Sequence, residues 1–600
     1  MDRHVVVVGG GLSGLYAANL LSKRNIPVTV LEASSLLGGR IKGIELASGG
    51  RIDLGGQWVS SRHTRIQTLL KEAGANLYPN YFSGKNMLMR GGRVQAYSQD
   101  RLPLSFLERF DIRVNIIRRT ERLIKALDAN GGKLAEELDK INVEAWMQQH
   151  LWTSAARQLL AFMVRNEFGA EPCEVSMFFF LFEVKHSGGL VHMLEIVDGA
   201  HEFKIDRLAY SMIEHLASTL PQERIHTNSP VLRIEAPTPA SRHQEIVIHC
   251  GVGLQQKIVR ARYVILAIPP TQLAQIEFVP DVPASHSQLW RRSIMGTYIK
   301  IIIVYETRFW RDRGLSGQLI TLDEDSILTW VMDGCDQSPS QLNALVVFVA
   351  GHHARLYSRL SPDASKNRVL AELALAFGAE ALEPLEYVEV DWTAVPYVRG
   401  GPDTFFGPGA AREYDFLERM QRPWGRLHFA GTETTCVDRG YMEGAVESGE
   451  RAAREVIECI AQGGVSWDAL RPPNGTAAAP APVNDTVIPT LKRVEGPSEF
   501  ESTRTFNWFR FARPCFPSPG WTVLVSALLA LAVAMLVAFS VDASSLSNVT
   551  DGWARVAALL EDWAREGSER SLRTLDPAWA NLKHTLQAWL WGDETAAIIS

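Results

Sequence analysis

Three glycines near the start of the chain have the spacing of a dinucleotide site. Gly9, Gly11 and Gly14 follow a run of four valines, and Glu32 ends the next apolar run. The first glycine would permit a tight turn, the second a close approach of backbone N–H groups to a pyrophosphate, and the third close packing of helix on strand. An acidic residue about 20 positions later can bind an adenosine ribose. The pattern predicts a strand, turn and helix that bind a dinucleotide, with a glycine-rich turn as the alternative. The candidate contacts are Gly9, Gly11, Leu12, Ser13, Gly14 and Glu32.

Two further glycine pairs narrow the cofactor. Residues 38–40 read Gly-Gly-Arg, and residues 53–58 read Asp-Leu-Gly-Gly-Gln-Trp. At this point the sequence resembles the flavin-containing amine oxidase family, whose members carry Glu-Ala, Gly-Gly-Arg and Asp-x-Gly-Gly-Gln-Trp at this spacing. The resemblance extends from about Val5 to Glu458 and implies FAD rather than NAD. It adds as candidate FAD contacts Gly39, Arg40, Gly56, Gln57 and Trp58.

Lys300 lies in an apolar run that reads as a strand. From the strand alone, the favoured interpretation is a lysine whose stem lies on the sheet while its ammonium group reaches solvent. The resemblance reverses that interpretation, because the family places a lysine here that holds a water at flavin N5. Relatives also pack the residue matching Trp392 against the flavin. Lys300 and Trp392 are therefore predicted catalytic residues.

The segment around Tyr441 matches the family most specifically. Residues 427–434 and 440–453 read as a strand, a loop and a helix of small residues. A helix that begins near Met442 can direct its positive N-terminal dipole at the part of the flavin where negative charge develops on reduction. The resemblance places Gly431, Glu433 and Met442 against FAD, and Tyr441 beside both the flavin and the amine. A tyrosine with only a structural role is the alternative.

Residues 402 and 403 depart from the animal monoamine oxidases. Those enzymes carry a cysteine bonded covalently to the flavin at the position of Pro402, so a noncovalent FAD is expected here. Their next residue is a tyrosine, one wall of an aromatic cage around the amine, where this chain has Asp403. Either that half of the cage is missing, or Phe405 or Phe406 replaces it. Our hypothesis is that Asp403 favours a substrate with a second, charged amine.

Residues 80–205 have a largely helical pattern, with apolar residues at i, i+3 and i+4 in 118–127 and 151–166. The apolar cluster at 175–182 is typical of core more than of a cavity lining. By resemblance this region walls the substrate channel, with Met193, Leu194 and His201 as candidate wall residues. Relatives then carry another Gly-Gly pair near the flavin, whereas this chain has Asp206 and Arg207, which leaves that contact open.

The predicted fold class is α/β, more fully an α+β two-domain flavoprotein. Short strand patterns at 231–234, 245–249 and 263–268 resemble the family's second flavin segment, in which the residue matching Val231 binds the adenine through its backbone. A Rossmann-like FAD-binding domain is expected from residues 1–80, 206–290 and 388–460. A mixed sheet-and-helix substrate domain is expected from residues 81–205 and 291–387.

The composition is that of an ordinary globular protein, with 46% hydrophobic and 21% charged residues. The net charge of −6 provides no basic surface for nucleic acid, so no nucleic-acid partner is expected. The six cysteines form no CxxC pair, so neither a metal site nor a disulfide framework is predicted. Because a buried strand follows directly after residue 3, no signal peptide is expected.

The composition changes after residue 460. Residues 461–520 are expected to form an exposed linker because they include a run rich in proline and alanine. Residues 521–541 carry no charge and are long enough to cross a bilayer once, with a buried core helix as the alternative. Arginines precede this run and aspartates follow it, so the catalytic part is expected in the cytosol, on the mitochondrial outer membrane or the ER. Residues 542–600 repeat Trp and Leu at helical spacing and suggest an amphipathic tail on the far membrane face.

The function implied by the resemblance is oxidation of an amine to an imine, which hydrolyses to an aldehyde, while O2 is reduced to H2O2. The expected partners are a small-molecule amine, O2 and the membrane, with a homodimer as a further expectation. An L-amino-acid oxidase is a rival, but the chain lacks that subfamily's Met-Arg segment. The other rivals are a membrane-bound FAD oxidase or desaturase acting on a non-amine, and a flavoprotein scaffold that has lost catalysis.

Overall fold

The computed structural model describes residues 3–98, 101–194, 198–237, 245–253, 256–335, 342–410 and 416–463, together with residues 465 and 467. The strands are β1 (Val5–Val8), β2 (Val28–Leu31), β3 (Gly43–Glu45), β4 (Arg51–Asp53), β5 (Leu77–Pro79), β6 (Lys85–Arg90), β7 (Arg93–Tyr97), β8 (Phe203–Ile205), β9 (Ile225–His226), β10 (Val231–Glu235), β11 (Ile246–Cys250), β12 (Lys257–Ala261), β13 (Tyr263–Leu266), β14 (Glu277–Val279), β15 (Ser293–Met295), β16 (Tyr298–Tyr305), β17 (Leu315–Thr321), β18 (Trp330–Asp333), β19 (Asn343–Ala350), β20 (Glu386–Asp391), β21 (Thr404–Phe406) and β22 (Leu427–Phe429).

The α-helices are α1 (Leu12–Lys23), α2 (Thr64–Glu72), α3 (Phe106–Asp111), α4 (Arg119–Asp139), α5 (Val143–His150), α6 (Ser154–Phe168), α7 (Met177–His186), α8 (Leu190–Leu194), α9 (Tyr210–Ser218), α10 (Pro270–Leu273), α11 (Ala284–Arg292), α12 (Phe309–Asp312), α13 (His352–Tyr357), α14 (Pro362–Phe377), α15 (Phe416–Gln421) and α16 (Met442–Ala461). A π-helical segment, Ile112–Arg118, joins α3 to α4.

The valine run forms the central strand of a parallel sheet with the order β22-β13-β1-β2-β9. Val5 and Val7 pack into one hydrophobic cluster and Val6 and Val8 into another, because successive side chains of a strand point to opposite faces. The predicted strand buried on both faces is confirmed. The pairing is in register, which brings the carboxyl ends of β1, β2 and β13 to one edge of the sheet.

This sheet is assembled from distant parts of the chain. β1 and β2 come from the first 31 residues, β9 and β13 from the segment between residues 225 and 266, and β22 from residues 427–429. α1 packs closely against α16, and a Cβ added at Gly449 would lie only 2.3 Å from the carbonyl oxygen of Ser13. The architecture is a mixed α/β fold.

A second large sheet has the order β20-β16-β19-β18-β17-β6-β7, and its pairings are antiparallel except between β6 and β17. β16 lies between β19 and β20, so Lys300 is opposite Phe348 on one side and Val390 on the other. Ile299, Ile301 and Ile303 pack in a separate hydrophobic cluster. Lys300 therefore points from the opposite face of the sheet.

The helices of the central region agree with the sequence pattern, with shifted ends. The helix predicted over 151–166 begins at Ser154, where Thr153 caps it, and runs to Phe168. Gly169, with φ of 61°, ends it, and a Cβ there would lie 2.6 Å from the carbonyl oxygen of Gly401. The end of α6 thus packs against the segment that precedes residue 402. The apolar cluster predicted as core lies in the buried helix α7.

No helix within the described ranges is long and apolar enough to cross a membrane. Residues 521–541, predicted as a membrane span, and the predicted tail at 542–600 lie outside the described residues. The same holds for almost all of the predicted linker at 461–520.

Candidate active site

A cavity of about 1440 Å³ lies where the two large sheets meet. Its wall includes the loops after β1 and β2, residues of β16, β18 and β19, and the N-terminal residue of α16. Sites for small molecules usually measure about 300–1,000 Å³. The cavity is therefore large enough for a dinucleotide together with a further small molecule.

The loop after β1, Glu32 and residues 38–40 form one part of the wall, which we call the dinucleotide cradle. Gly11 precedes α1 as its N-cap residue and provides no side-chain cap. A Cβ added at Gly11 would meet no heavy atom closer than the Gly38 oxygen, at 3.9 Å, so open space lies beside this backbone. A Cβ at Gly14 would lie 2.1 Å from the carbonyl oxygen of Gly9. Gly11 thus leaves room for a ligand, while Gly14 allows helix and strand to pack.

The acidic end of β2 is held in the cradle by hydrogen bonds. One carboxylate oxygen of Glu32 accepts from the Gly10 amide at 2.7 Å, and the other accepts from the amide and hydroxyl of Ser34 at 2.8 and 2.7 Å. Ser13 lies in the same wall, but its hydroxyl group contacts that of Ser448 at 2.9 Å and accepts from the Gly431 amide. Open glycine backbone, a helix N-terminus and a carboxylate at a strand end fit the pyrophosphate and ribose of a dinucleotide.

Buried charges link the cradle to the segment around residue 403. Arg40 pairs with Glu433 at 2.8 Å and with Asp403 at 3.4 Å. Arg439, which is only 1% exposed, donates to Asp403 at 2.8 Å and also pairs with Glu183. Burial raises the pKa of Glu433 and of Glu183, while the adjacent arginines oppose that shift.

Lys300 is 2% exposed, so the strand-based interpretation of an ammonium group in solvent is wrong. Its Nζ donates to the carbonyl oxygens of Asp53 at 2.9 Å and Gly55 at 2.8 Å, and to the side-chain oxygen of Gln57. Burial lowers the pKa of Lys300, and the nearby Asp53 carboxylate opposes that change. These partners explain how a lysine is tolerated at the cavity wall.

Four ring-bearing residues next to Lys300 form what we call the aromatic wall: Trp58, His201, Trp330 and Phe348. Lys300 Nζ lies 5.1 Å from the Trp58 ring centroid. The Trp58 ring lies 5.5 Å from both His201 and Phe348, and His201 lies 5.0 Å from Trp330. All four residues line the cavity. This part of the cavity is therefore apolar and suited to a hydrophobic substituent.

Tyr441 lines the cavity as the N-cap residue of α16, the helix that begins at Met442. Its hydroxyl group lies close to the carboxyl group of Glu167, from the last turn of α6. Burial raises the pKa of Tyr441 well above its ordinary value, and neighbouring Glu167 adds to that shift. Glu167 also lines the cavity; burial raises the pKa of Tyr298, and the nearby Glu167 carboxyl group adds to that shift. The Trp392 amide donates a hydrogen bond of 3.0 Å to the backbone carbonyl oxygen of Tyr298.

The model of the family described as flavin containing amine oxidoreductase matches residues 12–457. The chain belongs to this family. Amine oxidase A of Bos taurus is 32% identical over 469 residues, which cover 76% of this chain and 85% of that protein. Amine oxidase B of Cavia porcellus is 33% identical, with 76% of this chain and 86% of that protein covered.

Solved structures of amine oxidases share the fold. A putrescine oxidase bound to putrescine has a TM-score of 0.70 at 26% identity and covers 76% of this chain and 99% of its own. Cyclohexylamine oxidase from Brevibacterium oxydans IH-35A has a TM-score of 0.70 at 28% identity and covers 77% of this chain and 100% of its own. The chain is an FAD-dependent oxidoreductase that acts on amines, and the non-amine and scaffold alternatives are not favoured.

Most of the predicted site residues of this amine oxidase line the one cavity. They are Gly9, Gly11, Leu12, Ser13, Glu32, Gly39, Arg40, Gly56, Gln57, Trp58, Met193, His201, Val231, Lys300, Trp392, Asp403, Gly431, Glu433, Tyr441 and Met442. The fold thus brings segments that are up to several hundred residues apart in the chain to the same cavity. The individual contacts of these residues with FAD and amine stay predictions.

Two further predicted site residues, Gly14 and Phe405, do not line the cavity. Gly14 lies behind the wall, in the contact between α1 and β1. Phe405, in β21, pairs with Ile294 of β15 and packs in the hydrophobic core, as does Phe406, because this short strand is buried on both sides. Of the two alternatives for the cage, replacement by Phe405 or Phe406 is therefore not supported, because neither residue lines the cavity. Leu194 ends α8, and its side chain lies outside the described part of the chain.

Asp403 lines the cavity, but its carboxylate is already engaged. Arg439 donates to one oxygen at 2.8 Å, and the Thr404 amide donates to the other at 2.7 Å. Asp206, at the position where the family's glycine pair is missing, instead accepts from the amide of Asn76 at 2.8 Å. Asp206 thus joins two segments that are 130 residues apart in the chain, and it does not line the cavity.

Sequence reasoning missed Glu167 and the second half of the aromatic wall. Trp330 and Phe348 carry no local motif, because they reach the cavity only through the pairing of β18 with β19. Glu167 had a usable signal. Gly169 is a helix-ending residue, and extending the predicted helix to it would have placed Glu167 in the last turn.

Proposed function

We propose that Lys300, Trp392 and Tyr441 form the catalytic wall of an oxidase that converts an amine to an imine and reduces O2 to H2O2. The carrying observation is the buried Lys300 head group on the same cavity as the dinucleotide cradle and Tyr441. The chemistry supplied by bound FAD is acceptance of a hydride equivalent from the carbon next to the amine nitrogen, followed by transfer of both electrons to O2.

The cradle would hold the cofactor through backbone N–H groups at the start of α1 and through Glu32. Arg40, which faces the cavity beside Glu433, would add positive charge there. No cysteine is among the described residues that line the cavity, and Pro402 does line it, which supports noncovalent FAD.

Lys300 is proposed to position a water at the flavin. All three of its hydrogen-bond partners are acceptors, two of them carbonyl oxygens of the backbone. The side chain of Gln57 is the partner that can rotate away, so a water would take its place. The aromatic wall would exclude other water and receive the hydrophobic part of the amine.

The domain division at 1–80, 206–290 and 388–460 against 81–205 and 291–387 belongs to this proposal. It is supported by a parallel sheet that carries the cradle and by a second sheet that carries Lys300. We also propose that residues 521–541 form a single membrane span with the catalytic part in the cytosol, on the mitochondrial outer membrane or the ER. Carbonate extraction and protease protection of the full chain in cells test the span and its orientation. Light scattering of the solubilised chain tests the expected homodimer.

The function is tested with the full chain in detergent. The protein is mixed anaerobically with panels of monoamines, diamines and amino acids while flavin absorbance is followed, and air is then admitted. Bleaching by amines and peroxide formation in air are expected. Bound FAD that no amine bleaches would contradict the proposal.

A further inference from the structure

We infer that Glu167 binds the ammonium group of the incoming amine at the Tyr441 end of the cavity and takes its proton. The N–H bond of the ammonium ion breaks and an O–H bond forms on the Glu167 carboxylate, so the amine becomes neutral and its lone pair is free. The inference rests on the proposed function, because it concerns the substrate of that reaction.

The geometry places one carboxyl group where the amine is expected. Glu167 lines the cavity and lies close to the hydroxyl group of Tyr441, the residue expected beside the amine. It also lies near Tyr298, whose ring is 5.7 Å from Phe348 of the aromatic wall. An amine with its hydrophobic part on that wall would thus approach Glu167 with its polar end.

The other carboxyl groups nearby are less suited to this task. Asp403 and Glu183 both pair with Arg439, and Glu433 pairs with Arg40. No ion pair of Glu167 with a described residue is present, and the Tyr441 hydroxyl group beside it is a neutral phenol. Of these four acids, Glu167 is therefore the one whose charge a substrate cation would balance.

The electrostatic surroundings suit proton transfer. Burial raises the pKa of Glu167 to about 8, and repulsion from Glu183 and Asp403 adds to the shift, while Tyr441 and Arg439 oppose it. Burial likewise lowers the pKa of a bound amine, while the Glu183 and Asp403 carboxylates oppose that change. The two pKa values thus approach each other, which favours an easily reversed proton transfer.

The test compares the wild-type holoenzyme with Glu167→Gln, which keeps the size and removes the base. At pH 7 we expect kcat/KM for a straight-chain primary monoamine to fall at least tenfold, and for the matching diamine by the same factor, since general bases contribute about 100-fold or more. The loss should shrink as pH rises toward the pKa of the free amine, which then arrives neutral. A fluorinated amine that is already neutral at pH 7 should show little loss. Glu144→Gln, outside the cavity, is the matched control.

A binding measurement separates charge recognition from turnover. An amine without a hydrogen on the carbon next to nitrogen cannot be oxidised, and its affinity is read from the perturbed flavin spectrum. Glu167→Gln should weaken this amine at least fivefold at pH 7 and leave the alcohol of the same shape unchanged.

Several results overturn the inference. The first is a loss of kcat/KM in Glu167→Gln that is confined to the diamine, which would indicate a site for a distal ammonium group. The second is a loss of kcat/KM that is equal at every pH, and the third is no loss at all. If the variant does not retain FAD, the wild-type profile decides: a kcat/KM that keeps rising up to the amine pKa, instead of levelling off at the lower pH where Glu167 ionises, contradicts a base at Glu167. Wild-type enzyme that no amine bleaches would instead contradict the proposed function itself.

Discussion

The dinucleotide cradle and the wall that carries Lys300 and Tyr441 differ in what they are made of. The cradle presents backbone atoms around glycines from the first 40 residues of the chain. The other wall presents side chains from α6, β16, β18, β19, the segment after β20 and the N-terminus of α16. A backbone site tolerates side-chain variation but no added Cβ, whereas a side-chain site depends on the balance of its buried charges.

Substitution of the buried Arg439 should lower the stability of the protein more than the other changes considered below. Arg439→Met removes the cation that pairs with Glu183 and Asp403, and breaking a buried pair costs about 3–5 kcal/mol. Arg51→Met is the matched control, because the Arg51–Glu214 pair is exposed and such pairs contribute about 0–1 kcal/mol. The free energy of unfolding, from urea titration of both variants, measures the difference. Equal losses would show that the buried network does not matter more than a surface pair.

A change in packing beside the dinucleotide cradle should by itself reduce both stability and FAD binding. Gly14→Ala places a Cβ 2.1 Å from the Gly9 carbonyl oxygen, so the helix must move and the unfolding free energy should fall by about 3 kcal/mol. The FAD content of the purified protein, read from its absorbance, should fall as well. Gly132→Ala has no heavy atom within 4 Å of the added Cβ and should retain full FAD content. A Gly14→Ala protein with full FAD content would contradict the packing role.

Lys300 should separate catalysis from stability. Lys300→Met removes the buried donor from the cavity, and turnover should fall about 100-fold if this group acts in the reaction. Lys204→Met is a matched control, since Lys204 is also buried and donates to the carbonyl oxygens of Asp333 and Cys335, but it does not line the cavity. Both variants should lose stability, while only the first loses peroxide production. Full turnover in Lys300→Met would remove this lysine from the mechanism.

The sequence predicts the dinucleotide cradle better than the part of the cavity built from side chains. The valine strand, its glycine turn and Glu32 are local in the chain, so their pattern predicts their structure. The fate of Asp403 was not local. Its partner Arg439 lies 36 residues away, so the sequence near Asp403 gives no sign of this pairing, and the preference for a substrate with a second, charged amine stays a prediction. Lys300 shows the same limit, since its partners lie about 245 residues earlier and a strand pattern alone placed its head in solvent.

The ionisation of Glu167 should give the smallest effect on stability, and it is the sharpest test of the part of the cavity wall that carries Lys300 and Tyr441. Burial raises the pKa of this carboxyl from 4.5 to about 8 in the folded protein. Because the folded protein holds the proton more tightly than the unfolded chain, its contribution to stability is present below pH about 4.5 and is lost as pH rises through about 8. Wild-type protein should thus lose stability relative to Glu167→Gln between these values, with Glu144→Gln as the control for removal of a carboxyl group elsewhere. Urea unfolding at several pH values between 5 and 8.5 measures the difference. A difference in unfolding free energy between wild type and Glu167→Gln that does not change with pH would mean that solvent reaches this carboxyl group freely. The cavity would then lack a buried acid that could accept a proton from the amine.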